Sequence, residues 1–344
     1  MPGRVRHRAT AGSLTVAAIS LSLFGCGGVN HHLSGQTDAG QRVRSARGTA
    51  GRRRPQRRFT AIVVRSIGSL PSAVQDAAIA PLGRSHAVLL GGIDASDESV
   101  ATITVLSHGS TAGAGVLPVP QHDAQAARLG RFVYVFGGGE LSSYDHILRY
   151  DPATDRVAAA GKLPTAASDV AVASIGPTAY IVGGYDGASW LDTILAWRPG
   201  SSPRVVGRLP VGLRYAAVAA VGDRVLVAGG TTPGGISDAI LRFDPATGSV
   251  SRIGRLPQAR THAAAAAIGG RMLVIGGRQT LDGGQTRAIL SIDPSTGHSQ
   301  RVGSLNRPLS DAGATTVGNE VVVAGGLSAS GVQRELLALT EPEN

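Results

Sequence analysis

The sequence has 344 residues and holds one cysteine, Cys26, and one lysine, Lys162, against 32 arginines. A lone cysteine leaves no intrachain disulfide to form. No zinc-type spacing occurs, because His86, His108, His122, His146, His262 and His298 stand singly. A Gly-x-Ser-x-Gly nucleophile elbow is missing. None of the many glycine runs has P-loop spacing with a following lysine. The longest uncharged apolar stretch, about Ala9 to Phe24, is roughly 16 residues, short of the ~20 that a membrane-spanning helix needs. These absences exclude disulfide scaffolds, structural zinc modules, serine hydrolases of the elbow type and P-loop phosphate chemistry.

Charge of one sign is in excess, at +10 overall, but only in one place. Residues 1–58 carry eleven arginines and one acid, Asp38, whereas residues 59–344 carry 22 basic and 22 acidic side chains. The larger part is neutral and gives no electrostatic case for nucleic-acid binding.

The beginning of the chain has the order of an export signal. Arg4, Arg6 and Arg8 precede the apolar stretch, and Leu23-Phe24-Gly25-Cys26 follows it. The junction resembles a bacterial lipoprotein signal through Leu23, Gly25 and Cys26. That resemblance implies a thiol diacylated at Cys26 and a lipid-anchored or secreted protein of the cell envelope. An ordinary secretory signal with an incidental thiol is the other reading. Residues 27–58 then hold polar residues and eight arginines between Arg42 and Arg58, a composition expected to stay disordered. They read as a solvated stalk, or as a segment lying on anionic lipid or wall polymer.

What is abundant is glycine, and it is periodic. Glycine pairs begin at Gly91, Gly137, Gly183, Gly229, Gly276 and Gly325, spaced 46, 46, 46, 47 and 49 residues apart. A Leu-Pro step keeps the same register at Leu70, Leu117, Leu163, Leu209 and Leu256, with Leu305-Asn306 in the sixth place. A period near 47 is the mark of a propeller or solenoid. Each repeat reads as four strands. The first is built of small residues, as in Ala216–Ala220 or Ala263–Ala267, as a strand crowded at an axis requires. The second is β-branched and ends at the glycine pair. The third ends in Tyr150, Trp197, Phe243 or Ile292. A turn such as Asp244-Pro245-Ala246-Thr247-Gly248 leads to a short fourth strand.

An apolar strand ending in a double glycine, then an aromatic before Asp-Pro-x-Thr, is similar to the kelch family, and the similarity covers residues 59–344. The resemblance implies an all-β, six-bladed propeller with four antiparallel strands per blade. Val157, Val205 or Val250 stands near the place where the family has a fourth-strand Trp. The last repeat stops after its third strand, and Phe59 to Ile67 has fourth-strand character. The amino-terminal strand is therefore expected to complete the last blade and leave no open edge.

Six residues after each Leu of the Leu-Pro step stand Asp76, Asp123, Asp169, Tyr215, His262 and Asp311. Repeat geometry places them in a ring around the central channel, with Arg214 and Arg260 beside it. Resemblance to kelch proteins implies that this face and the loops after the double glycines, with Tyr185 and Trp190, carry the binding surface. Two readings stay open. The ring is a polar funnel for a cation, a basic peptide or a sugar, or each Asp accepts hydrogen bonds from backbone donors of its own turn. No metal and no cofactor is expected, since the carboxylates would stand too far apart to share one ion. A copper oxidase of this fold relies on a Tyr cross-linked to a Cys, for which residues 59–344 have no cysteine. Some kelch propellers are sugar mutarotases using Arg and acid side chains in the funnel, and that is the enzymatic alternative. The leading expectation is a monomeric, non-enzymatic scaffold for a protein or glycan of the envelope.

Overall fold

The computed structural model describes residues 59–108 and 110–342. The expected signal at 1–26, with Cys26, and the linker at 27–58 lie outside the described residues. The described chain is all β, and strands form without any helix among the described residues.

Six four-stranded antiparallel sheets follow one another along the chain. Blade four shows the pattern. Its inner strand is Ala217–Val221, followed by Arg224–Ala228, Ala239–Asp244 and the outer strand Ser249–Arg255, each paired with the next. Blade six has Gly313–Val317, Glu320–Ala324 and Glu335–Thr340 from the end of the chain. Its outer strand is Val63–Ser69 from the beginning, paired antiparallel from Val63–Thr340 to Ser69–Glu335. The expected closure is thus present, and the strand begins four residues later than the sequence suggested.

The apolar residues of the middle strands are buried on both faces, so they form six clusters, one at each seam between neighbouring blades. The aromatics that end the third strands fill these seams. Trp197 meets Tyr134 and Phe136 of the preceding blade edge-on, at 4.9 and 5.5 Å between ring centres. Phe243 meets Tyr180 in the same way at 5.6 Å. Such contacts add directional packing to the burial of each ring. The outer strands are largely exposed, and each pairs with its third strand through a register shift at the same place, such as Ile240/Leu241 in blade four. Bulges twist an edge and make it a poor template for a further strand.

The double glycines have one physical cause. The amide of each second glycine donates across the seam to the next blade, from Gly92 to Gln121 O through Gly277 to Leu309 O, and from Gly326 to Val74 O of blade one. For that bond the first glycine must approach the same carbonyl. A Cβ there would lie 2.1–2.4 Å from it in all six blades. Both glycines also have positive φ. Only glycine satisfies both demands.

Candidate functional site

Each of the six ring positions stands two residues before an inner strand, and each has the left-handed backbone conformation. The φ angles are +52° at Asp76, +55° at Asp123 and Asp169, +54° at Tyr215, +53° at His262 and +58° at Asp311. Asp and His tolerate this region better than most side chains, whereas a Tyr there is unusual. The conformation turns the six peptide groups into a closed cycle. Asp123 N donates to Asp76 O, Asp169 N to Asp123 O, Tyr215 N to Asp169 O, His262 N to Tyr215 O, Asp311 N to His262 O and Asp76 N to Asp311 O, at 2.9–3.3 Å. The sequence-derived ring is therefore a real, hydrogen-bonded neck.

The side chains do not do what turn-capping aspartates do. Capping of turns falls to other aspartates, including Asp94, Asp151, Asp186, Asp244 and Asp293, whose Oδ1 atoms accept from amides two to four residues on. The ring carboxyls face one another and two arginines instead. Arg214 Nε stands 2.6 Å from Asp169 Oδ2, and its Nη2 donates to the Tyr215 hydroxyl at 2.8 Å. The Tyr215 hydroxyl donates to Asp123 Oδ2 at 3.4 Å. Arg278 donates twice to Asp311 Oδ2, from Nε at 3.1 Å and Nη2 at 2.6 Å, and the Ser310 hydroxyl donates to the same oxygen. Tyr215 and His262 stack, with ring centres 3.7 Å apart. The Arg214 guanidinium lies over both Tyr185 and Tyr215, at 4.7 and 4.5 Å.

Burial governs the electrostatics. Burial, with repulsion from Asp123 and Asp311, holds Asp76 far above the usual carboxylate range. Burial and Asp169 do the same to Asp123. Asp169 and Asp311 are raised by burial as well, against the opposing pull of Arg214 and Arg278 respectively. His262 is pushed down to about 3 by burial and by Arg278 and Arg214, so it is a neutral imidazole. Burial also raises the Tyr215 phenol, which stays protonated.

The ring side chains enclose a cavity of about 70 Å³. Beyond it lies a channel of about 410 Å³ walled by the inner strands, with Ala216–Ala220 and Ala263–Ala267 among the lining residues. An inner strand pairs on one side only, so its free peptide edge faces this channel and needs water or a side chain. Thr316 supplies one such bond, donating to Ala267 O of the neighbouring blade at 2.6 Å.

Of the remaining expected residues, Tyr185 and Trp190 lie half-buried on the loop after the third glycine pair, bridged to each other through their backbones. Arg260 requires a correction. It is buried at the seam of blades four and five, where Nη1 donates to Gly276 O and Ala288 O, and it does not reach the mouth. Burial lowers its pKa to about 10. Besides Arg278, which pairs with Asp311 from the loop after the fifth glycine pair, two residues belong to the site that the sequence reading left outside the ring. His122 Nε2 stands 3.7 Å from Asp123 Oδ2 while its Nδ1 meets the Ser99 hydroxyl at 2.8 Å, and Ser310 bonds Asp311. Both immediately precede a ring residue, and that register was the available signal.

Residues 212–257 match the kelch motif family model. This span runs from the turn before Tyr215 to the Leu256-Pro257 step, which is all of blade four. The chain carries a kelch repeat in a six-bladed propeller. The solved structure of YjhT has the same architecture, with a TM-score of 0.66 at 16% identity over 78% of this chain and 96% of that one. No curated protein matches the chain in sequence. In the kelch repeat of blade four, Gly229-Gly230 makes the seam with blade five, Phe243 fills the seam with blade three, and Tyr215 supplies the ring position.

Proposed function

We propose that the chain is a binding scaffold, exported and tethered through Cys26 at the cell envelope, which holds a protein or glycan against the ring face of its propeller. The observation that carries this reading is the division of labour at the mouth. Asp169 and Asp311 are spent on Arg214 and Arg278, with side chains 2% and 0% exposed. The cavity they line is about 70 Å³, well below the ~300–1,000 Å³ of ordinary small-molecule sites. Groups at the rim that still face solvent include Arg214, stacked on Tyr185, with Trp190 bridged to Tyr185 and His122 half-buried beside Asp123. An Arg on an aromatic platform is a common anchor at binding surfaces.

The test is affinity capture from envelope extract with the full chain, beside Arg214→Ala and Tyr185→Ala. Loss of the captured partner in both variants supports the rim. Undiminished capture rejects it. For the tether, Cys26→Ala is expected to move the protein from the membrane fraction to the medium; a protein that stays in the membrane fraction rules lipidation out.

One observation favours a second reading, a sugar mutarotase. Arg214, the Tyr215 hydroxyl, neutral His262 and Arg278 follow one another along one side of the mouth. Proton-transferring groups of that kind could serve anomer interconversion at the rim. Acceleration of sugar anomerisation, followed by proton NMR and abolished in Tyr215→Phe, would establish it.

A further inference from the structure

We infer that the neck of the propeller is an electroneutral ring of two proton-sharing carboxyl pairs, Asp76 with Asp311 and Asp123 with Asp169, and that loss of their two protons loosens the neck. The ring residues are neighbours in order around the channel, and the pairing follows from their contacts. Asp76 is joined to Asp311 in the backbone cycle and Asp123 to Asp169, and each of these neighbouring pairs sets a carboxyl that touches a guanidinium beside one that touches none. Ionised carboxyls only accept hydrogen bonds, so two of them can be bonded to each other only through a proton held between them. The Asp311 side chain sharpens the point. It is 0% exposed. Arg278 and Ser310 both donate to Oδ2, while Oδ1 receives no amide, hydroxyl or guanidinium donor. His262 Nε2 stands 4.0 Å from Oδ1, too far to donate, which leaves the acid proton of the neighbouring Asp76 as the donor we assign.

The charges then balance. Four carboxyls holding two protons carry two negative charges, and the Arg214 and Arg278 guanidiniums carry two positive ones. Every other titratable group at the neck is neutral or outside the balance: Tyr215 is a phenol, His262 an imidazole, and His122, beside Asp123, is lowered from its ordinary value by burial. The arginines decide where the protons stay. Each guanidinium fixes a negative charge on the carboxyl it touches, Asp169 or Asp311, so the protons rest with Asp123 and Asp76. A funnel of four acids thus attracts no cation while the protons remain. Removing them leaves two uncompensated charges in a cavity of about 70 Å³, at the point where six backbone bonds close the cycle. This holds whether or not the rim binds a partner.

The sign is that of a raised acid. Protons are bound more tightly in the folded state, so the stabilisation is full at low pH and is lost as pH rises through the raised values. The experiment is a thermal-midpoint series on the full chain from about pH 7 to about pH 9, above the range in which His262 contributes, with wild type and Asp76→Asn/Asp123→Asn. The amide donates as the acid does but cannot titrate. The midpoint should fall with rising pH in the wild type and stay level in the double variant. A wild-type midpoint that does not fall, or an equal fall in both proteins, overturns the inference. Infrared titration reads the same groups without reference to stability. Two protonated carboxyl bands per chain should be present at neutral pH and absent from the double variant; no such band at neutral pH in the wild type refutes it.

Discussion

Replacing Gly276 with alanine isolates the interaction that joins one blade to the next, provided it is compared with Gly222→Ala. The two glycines have nearly the same backbone, with φ of +62° and +61°. An L-residue in that region costs about 1–2 kcal/mol at either site. Their surroundings differ. A Cβ on Gly222 meets nothing within 4 Å, whereas on Gly276 it lies 2.1 Å from Leu309 O. That carbonyl accepts the Gly277 amide at 2.8 Å across the seam of blades five and six. It would have to retreat by roughly 1.3 Å to reach ordinary van der Waals contact, and the bond would go with it. A buried amide left without a partner costs about 1–3 kcal/mol. Gly276→Ala should therefore lose about 2–5 kcal/mol and Gly222→Ala only about 1–2 kcal/mol. Urea unfolding at equilibrium reads the difference as a shift in midpoint at unchanged slope. Equal losses in the two variants would refute the seam as the reason for the double glycine.

His262, held at about 3 in the fold against 6.5 when free, contributes in the opposite sense to the ring acids. Its neutral form is favoured by folding, so its contribution is full above pH 6.5 and is lost as pH falls toward 3. In an NMR titration the His262 ring signals should not move between about pH 8 and about pH 5; a midpoint near 6.5 would place the imidazole in solvent. Deleting residues 59–69 should leave Glu335–Thr340 as an open edge of blade six, with Leu337 and Leu339 losing their cover. Concentration-dependent association in size-exclusion chromatography is the expected result, and a monomer of unchanged stability would show that the closing strand is dispensable.

The blade count, the strand order and the closure could be read from spacing, because a propeller repeats one supersecondary unit and every repeat needs its glycines at the same offsets. The six ring positions could be read for the same reason. Their role could not. An Asp that caps a turn and an Asp in the left-handed region look alike in sequence, and only the cycle closed by all six blades distinguishes Asp123 from Asp151. The two arginines make the same point. Arg214 stands one residue before Tyr215 and Arg260 two before His262. In extended chain that difference of one sends the side chains to opposite sides, so Arg214 reaches the mouth while Arg260 is buried in a seam. Composition near a ring residue therefore does not decide membership in the site, but register does.

The ring also departs from the repeat that generates it, and the departure has an order. Tyr215 and His262 are neighbours in the cycle. On either side of them stand the carboxyls that touch arginine, Asp169 with Arg214 and Asp311 with Arg278. Beyond those, adjacent to each other, stand Asp123 and Asp76, the two that keep their protons. The arrangement is close to a mirror across the mouth, from an uncharged aromatic pair, through two ion pairs, to two carboxylic acids. Six aspartates with the same two arginines would need four protons to reach neutrality. A Tyr and a His at adjacent places reduce that to two, and they put the acids as far from the guanidiniums as the ring allows. A backbone cycle that demands left-handed residues at every blade thus becomes compatible with a buried polar neck, because the side chains that tolerate the conformation are also arranged to cancel one another's charge.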